Sequence, residues 1–266
     1  MAYQEILFQK QGNLAIVTIN RPEAMNAFTG LTTQELTDAV GASARDTEVR
    51  SVILTGAGDR AFSAGADVGH LQRLSRGEDS LAREALEPEG SGDDFCRKLY
   101  YLEKPTFAAV NGVVAGGSFG FLLACDIRIA SDKARFTTVF IKRSITPHYG
   151  CTWHLPRLLG QSRALELLYS GDMLNAEEAL KLGLVSHVVP HDKLMSFTID
   201  YASRIGKGSP VAMALTKREI RRAFSNTLEA QMDYELSCNH VCHQTGDFKE
   251  AVAALGEKRE PVFKGR

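Results

Sequence analysis

Residues 107–125 read FAAVNGVVAGGSFGFLLAC, a run of 19 residues without a charge. That length suits a membrane-crossing helix, and Gly112, Gly116 and Gly120 stand at the spacing of a helix-dimer motif. Two signals divide the run. Pro105 to Val110 is β-like, and Asn111-Gly112 is a turn pair. Ser118 to Cys125 then reads as a short buried helix that stops at Asp126. A buried strand, a turn and a buried helix give the same hydropathy as a span, and we read the run that way.

Outward from this run the chain alternates between strand and helix patterns. A first strand at Ile6 to Phe8 turns at Gln11-Gly12-Asn13 into Leu14 to Ile19. Thr32 with Glu35 reads as a capping box, and Leu31 with Leu36 as its hydrophobic staple. Val52 to Leu54 lies in a further strand, and the polar segment from Arg76 to Asp94 reads as a mobile loop. Beyond the opening run come a strand at Ile127 to Ala130 and a helix near Ser162 to Tyr169. Asn175 with Glu178 forms a second capping box, Gly183 stops that helix, and a strand-like LVSHVV follows. From Leu194 onward the period is helical. The expectation is an α/β fold: strand–helix units over residues 1–195 and a helical region over 196–266, in one continuous unit.

The chain has 266 residues, 44% of them hydrophobic and 24% charged, which is ordinary for a globular protein. A net charge of −1 gives no reason to expect nucleic acid or a polybasic membrane contact. Five dispersed cysteines do not read as a disulfide framework. A reducing, cytoplasmic setting fits them, and the first residues lack a signal-peptide pattern. Cys238, His240, Cys242 and His243 are metal-ligand types at the wrong spacing, so no metal is expected. Residues 56–61, GAGDRA, match G-x-G-x-x-A on paper. The AFSAGADV around and after the match is small and glycine-rich rather than helical, which argues against a dinucleotide site.

Two glycine-rich turns carry more chemistry. FSAGADV at 62–68 and NGVVAGGSFG at 111–120 each follow a β-like run. Free backbone N–H groups at such turns bind anions, and two that converge on one oxygen make an oxyanion hole.

With INRPEAMNAF, AFSAGADV, KPTFAAVNGVVAGGSFG, CDIRIAS and LLGQSRALELLYSGDMLNAEEALKLGLVSHVV in order, the chain resembles the enoyl-CoA hydratase/isomerase (crotonase) superfamily from about Ile19 to its end. The resemblance implies a spiral of ββα units, a C-terminal helical region that builds trimers or dimers of trimers, and a coenzyme A thioester substrate. Coenzyme A would be part of the substrate, with no other cofactor. It places the oxyanion N–H groups at Ala66 and Gly117. It assigns the coenzyme A cradle to Ala64, Ala66, Asp67 and Val68, and a contact to a neighbouring subunit's coenzyme A to Phe263 and Lys264.

The two glutamates by which typical hydratases of this family add water fall on Gly120 and Phe140, and neither can move a proton. Counting back from LPRLLG, His148 falls where some relatives carry a catalytic aspartate. An imidazole titrates near neutral pH and can act as acid and base. Tyr149 and Asp94 are further catalytic candidates. Double-bond isomerisation or an atypical hydration is the expected activity. Hydrolysis, C–C cleavage or decarboxylation of a β-keto thioester is the alternative, and a coenzyme A-binding subunit without turnover is the third.

Overall fold

The computed structural model describes residues 3–78 and 90–266. Residues 79–89, within the segment read above as a mobile loop, lie outside the described residues.

The strands alternate between two sheets. β1 (Ile6–Gln11) and β2 (Leu14–Ile19) form the expected hairpin, and β3 (Ser51–Gly56) lies parallel to β2. β4 (Ala61–Ser63) leaves for a second sheet. The next two pairs, β5 (Thr106–Val110) with β6 (Val113–Ala115) and β7 (Ile127–Ser131) with β8 (Arg135–Thr137), repeat the move. β9 (Leu174–Asn175) closes the second sheet and β10 (His187–Val189) the first. The larger sheet therefore runs β1-β2-β3-β5-β7-β10 and the smaller β4-β6-β8-β9. One strand in each sheet per repeat is a spiral of strand–strand–helix units.

Period-two alternation decides which face each residue serves. Leu14, Ile16, Ile53, Phe107, Ala109 and Ile129 share one face of the large sheet. Ala15, Val17, Val52, Leu54, Ala108, Val110 and Ala130 point the other way, into a core with Phe62, Phe95, Phe119, Phe121 and Phe136. Both faces are covered, so β3 and β5 are buried at every residue.

Helices complete the turns. α1 (Gly30–Arg45) follows β2, and α2 (Val68–Ser75) follows the first glycine turn. α3 (Gly92–Tyr101) precedes β5, and α4 (Ser118–Ala124) follows the second glycine turn. The opening run is thus a strand, a turn, a short strand and a buried helix. Among the described residues no helix is long and apolar enough to cross a membrane.

The first capping box is shifted from its expected place. Thr29 is the N-cap and Thr32 the reciprocal partner, three residues into the helix. Glu35 is free of that duty: its carboxylate accepts the N–H groups of Gln4 and Glu5 at 2.7 and 2.9 Å and pins the chain before β1. Residues 56–61 run from the last residue of β3 to the first of β4 and open no helix, so the dinucleotide pattern lacks its context.

After β8, α5 (Cys151–Leu159), α6 (Gln161–Ser170) and α7 (Ala176–Leu182) lead to β10. α7 carries the expected Asn175/Glu178 box and stops at Gly183 in the left-handed conformation. The helical region is α8 (Leu194–Ile205), α9 (Pro210–Ala223), α10 (Leu228–His243) and α11 (Gly246–Glu257). α8 buries Leu194 and Ala202 against the large sheet. α9 to α11 leave Ile220, Phe224, Leu228, Met232, Leu236, Val252 and Leu255 exposed.

Candidate functional site

The site is built first from main chain. In the first glycine turn, Phe28 N–H donates to Gly65 O and Asp67 N–H donates to Phe28 O, each at 2.9 Å. This parallel bridge passes over Ala66, whose N–H has no hydrogen-bond partner among the described residues. In the second turn, Gly116 N–H donates to Thr137 O at 3.1 Å, and Gly120 N–H to Gly117 O at 3.0 Å. Gly117 N–H is likewise without a partner among the described residues.

The two turns touch. Gly65 has φ 95°, and a Cβ there would lie 2.7 Å from Ala115 O and 3.6 Å from Gly117 N. Only glycine allows that approach. Ser118 fastens it: its hydroxyl donates to Ser63 O at 2.7 Å, with Ala115 O at 2.9 Å, and accepts Ala115 N–H at 3.1 Å. Asn111 bonds Gly56, Gly58 and Ala61, and buried Asn26 bonds Ala57 and Ala61. Two neighbouring unpartnered donors on a stapled frame can bind one oxygen that carries developing negative charge.

Tyr149 stands over this frame, and His148 packs against Tyr149. A Cβ on Gly117 would be 2.8 Å from Tyr149 Cε2, and one on Gly120 would be 2.3 Å from Tyr149 Cβ and 2.6 Å from its carbonyl oxygen. Phe28 and Phe121 flank the Tyr149 ring, with centroids at 5.9 and 6.0 Å. The His148 ring lies edge-on to both Tyr149 (4.2 Å) and Phe140 (5.1 Å). Both positions where the resemblance would put glutamates, Gly120 and Phe140, thus border the His148–Tyr149 pair. His148 Nδ1 is 3.1 Å from Thr146 O. With Nδ1–H donating there, Nε2 holds the lone pair and can accept a proton.

Cys96 Sγ would be 3.3 Å from a Cβ on Gly120, yet burial pushes its thiol well up. Burial likewise pushes the Cys125 and Cys151 thiols up to about 12, so they stay protonated near neutral pH.

The sequence pattern of the enoyl-CoA hydratase/isomerase family matches residues 9–266. The chain belongs to that family. It is 38% identical over 267 residues to the short-chain-enoyl-CoA hydratase of Clostridium acetobutylicum, covering 100% of both chains. It is 39% identical over 263 residues to the crotonyl-CoA hydratase of Syntrophomonas wolfei, covering 99% of each. Among solved structures, an enoyl-CoA hydratase from Bacillus anthracis superposes with a TM-score of 0.92 at 31% identity, over 99% of this chain and 100% of that one. The fold is accordingly the crotonase-like α/β spiral, and the chain is an acyl-CoA enzyme of the hydratase/isomerase class.

The other residues singled out for this hydratase/isomerase family member fall elsewhere. Asp94 does not join the group: its carboxylate accepts Gly90 N–H at 2.9 Å and the Lys98 ammonium at 3.0 Å, at the start of α3. Asp67 accepts Gly69 N–H and pairs with Arg21 at 3.2 Å, which holds the Ala64–Asp67 turn against the chain after β2. Val68 is exposed at the start of α2. Phe263 and Lys264 belong to a tail clamped on α11, where buried Asp247 accepts the N–H groups of Lys264 and Gly265. Phe263 O accepts from Arg50. The Cys238–His243 cluster sits on α10, and His243 packs on Phe248.

Trp153 and His154 face another cavity, of about 660 Å³, that Leu123, Met213, Ile220 and Arg221 also line. Burial, with Arg128 and Arg157 near, lowers His154 to about 4. Sequence reasoning passed over Ser118, Asn26 and Asn111. Ser118 directly after GG and Asn111 before Gly112 carried a signal, a small polar residue at a glycine turn where side-chain bonds to main chain are at a premium; Asn26 stands beside no glycine and carried none.

Proposed function

We propose that this enzyme moves a proton on the carbon chain of an enoyl-CoA, by double-bond isomerisation or by a hydration that does not use two carboxylates. The thioester carbonyl oxygen binds at Ala66 N–H and Gly117 N–H, which stabilise the enolate as charge develops. His148 Nε2 takes and returns the proton. The observation that supports this reading is that Tyr149 packs on Gly117 and Gly120 while His148 packs on Tyr149 and Phe140, next to the turn that carries the unpartnered Gly117 N–H. The names of the relatives, both hydratases, favour hydration.

The Ala64–Val68 segment holds the adenine part of coenzyme A in this reading, and Phe263 and Lys264 reach a neighbouring copy's coenzyme A. The exposed apolar side chains of α9 to α11 suit contact between copies, as a trimer or a pair of trimers.

The test uses crotonyl-CoA and 3-butenoyl-CoA, following the absorbance of the conjugated thioester and the product mass. Isomerisation keeps the mass, and hydration adds one water. His148→Ala should lower kcat by at least a hundredfold while the protein stays folded. Wild-type turnover that survives His148→Ala within a few fold refutes the assignment. Tight binding of acyl-CoA with no turnover of either ester points instead to a binding subunit.

A further inference from the structure

We infer that the cavity lined by α4, α5 and α9 is a second ligand site, and that it takes a monocarboxylate with an alkyl chain. The inference stands apart from the proton transfer proposed above and is tested without turnover.

The cavity, of about 660 Å³, lies at the other end of α4 from the oxyanion turns. Leu123 and Ala124 line it, whereas Gly117 precedes the first residue of α4. Seven residues of helix separate the two ends by about 10 Å. The volume suits a small organic ligand. Leu123, Leu158, Met213, Ile220 and Phe224 give apolar walls. Ile220 and Phe224 remain exposed, so an alkyl chain would cover apolar surface there.

The charges on those walls do not balance. Arg128, Arg157, Lys217 and Arg221 line the cavity against one carboxylate, Asp126. Lys217 already holds Asp126, at 2.5 Å. His154 is neutral at pH 7, because burial lowers it to about 4. Three guanidinium groups are left with no carboxylate partner among the described residues. Arg128 is 9% exposed, and its Nε and Nη1 donate to Leu184 O and Cys125 O at 2.6 and 2.9 Å. Its Nη2 has no acceptor among the described residues. Arg157 lies 4.1 Å over the Trp153 ring and Arg221 4.5 Å over that of Tyr100.

Arg221 is the extreme case. Its Nε and Nη2 are buried without a hydrogen-bond partner, and no other buried side-chain nitrogen or oxygen among the described residues is left so. Such donors are costly to bury unpaired. Nε and Nη2 share one edge of the guanidinium, the fork that matches the two oxygens of a carboxylate. No hydrogen bond holds this head in place, so turning that edge toward an incoming carboxylate breaks none. A carboxylate in the cavity supplies the acceptor that Arg221 lacks and the counter-charge that all three guanidinium groups lack. Apolar walls around those cations select one charged head on an apolar body.

Trp153, the single tryptophan of the chain, lines the cavity and reports on it. The assay titrates octanoate, octanol and acetate into the wild type and Arg221→Gln and follows tryptophan fluorescence. Octanoate should saturate the wild type and bind at least tenfold more tightly than octanol, and acetate should not saturate. Loss of a charged hydrogen-bond donor in Arg221→Gln should weaken octanoate at least about tenfold and change octanol less than threefold. Should this variant fail to fold, Arg157→Gln, at an exposed position, carries the same comparison. Absence of a saturable signal overturns the inference, as does equal affinity for octanoate and octanol. An unchanged ratio in the variant overturns it too, and places octanoate elsewhere, such as at the oxyanion turns. Sedimentation at two protein concentrations tests the remaining occupant. Octanoate affinity that falls as the protein is concentrated, with assemblies dissociating on binding, assigns the cavity to a neighbouring copy and overturns the inference.

Discussion

Gly120→Ala adds one methyl group at the position that the resemblance assigns to a glutamate, and we expect it to unsettle the protein. The new Cβ would stand 2.3 Å from Tyr149 Cβ and 2.6 Å from Tyr149 O. Neither atom can swing away on a side-chain torsion, because one is the root of the side chain and the other is main chain. Overpacking in a core costs about 1–3 kcal/mol, and an immovable neighbour puts this case at about 3 kcal/mol. Urea denaturation at fixed protein concentration reads the change from the midpoint at constant slope. The double variant Gly120→Ala, Tyr149→Gly removes one of the two clashing atoms and loosens the turn that carries the other. It should recover at least about 1 kcal/mol beyond additivity, within the range seen for residues in contact. A single-variant cost below about 0.5 kcal/mol, or additive behaviour in the cycle, refutes the reasoning that Gly120 and Tyr149 exclude each other. The same clash means that Gly120→Glu alone should add no hydratase activity.

Two further outcomes test the frame. Glu35→Ala leaves the Gln4 and Glu5 N–H groups without their acceptor and should cost about 2 kcal/mol in urea, with Glu35→Gln between the two. His154 is held at about 4 in the folded chain, below the free imidazole's value near 6.5, so the unfolded chain binds its proton first as pH falls. Its contribution is complete above about pH 6.5 and fades by up to roughly 3 kcal/mol toward pH 4. Midpoints measured at pH 7, 5.5 and 4.5 should fall less steeply in His154→Gln, and parallel curves would exclude this role.

The strand–helix order was legible because burial on both faces of a parallel sheet leaves near-continuous apolar runs, as in SVILTG and TFAAV. The split of the opening run was legible from the β-like Pro105 to Val110 and the turn pair Asn111-Gly112. The first helix start was misplaced because Thr29 and Thr32 are both cap-forming residues. Only tertiary structure, which draws Glu35 away to the chain before β1, chooses between them. At the site, His148 could be singled out as a candidate by counting along the chain. The cage around Tyr149 could not. It joins Gly92, Gly117 and Gly120, which approach through packing of α3 against α4, and local pattern carries no trace of such a meeting. Asp94 was a candidate only from its place along the chain, which carries no sign of the Gly90 N–H and the Lys98 ammonium that take up its carboxylate.

The clamp on the tail has its own consequence. Asp247 is buried at 3% exposure, bonds the N–H groups of Lys264 and Gly265, and accepts the Ser209 hydroxyl. Arg266 O in turn accepts Gly246 and Asp247 N–H at the start of α11. Tail and helix therefore order together, as one preorganised piece. The main chain at Lys264 is thus already ordered, and any contact made there loses only side-chain freedom, not chain entropy.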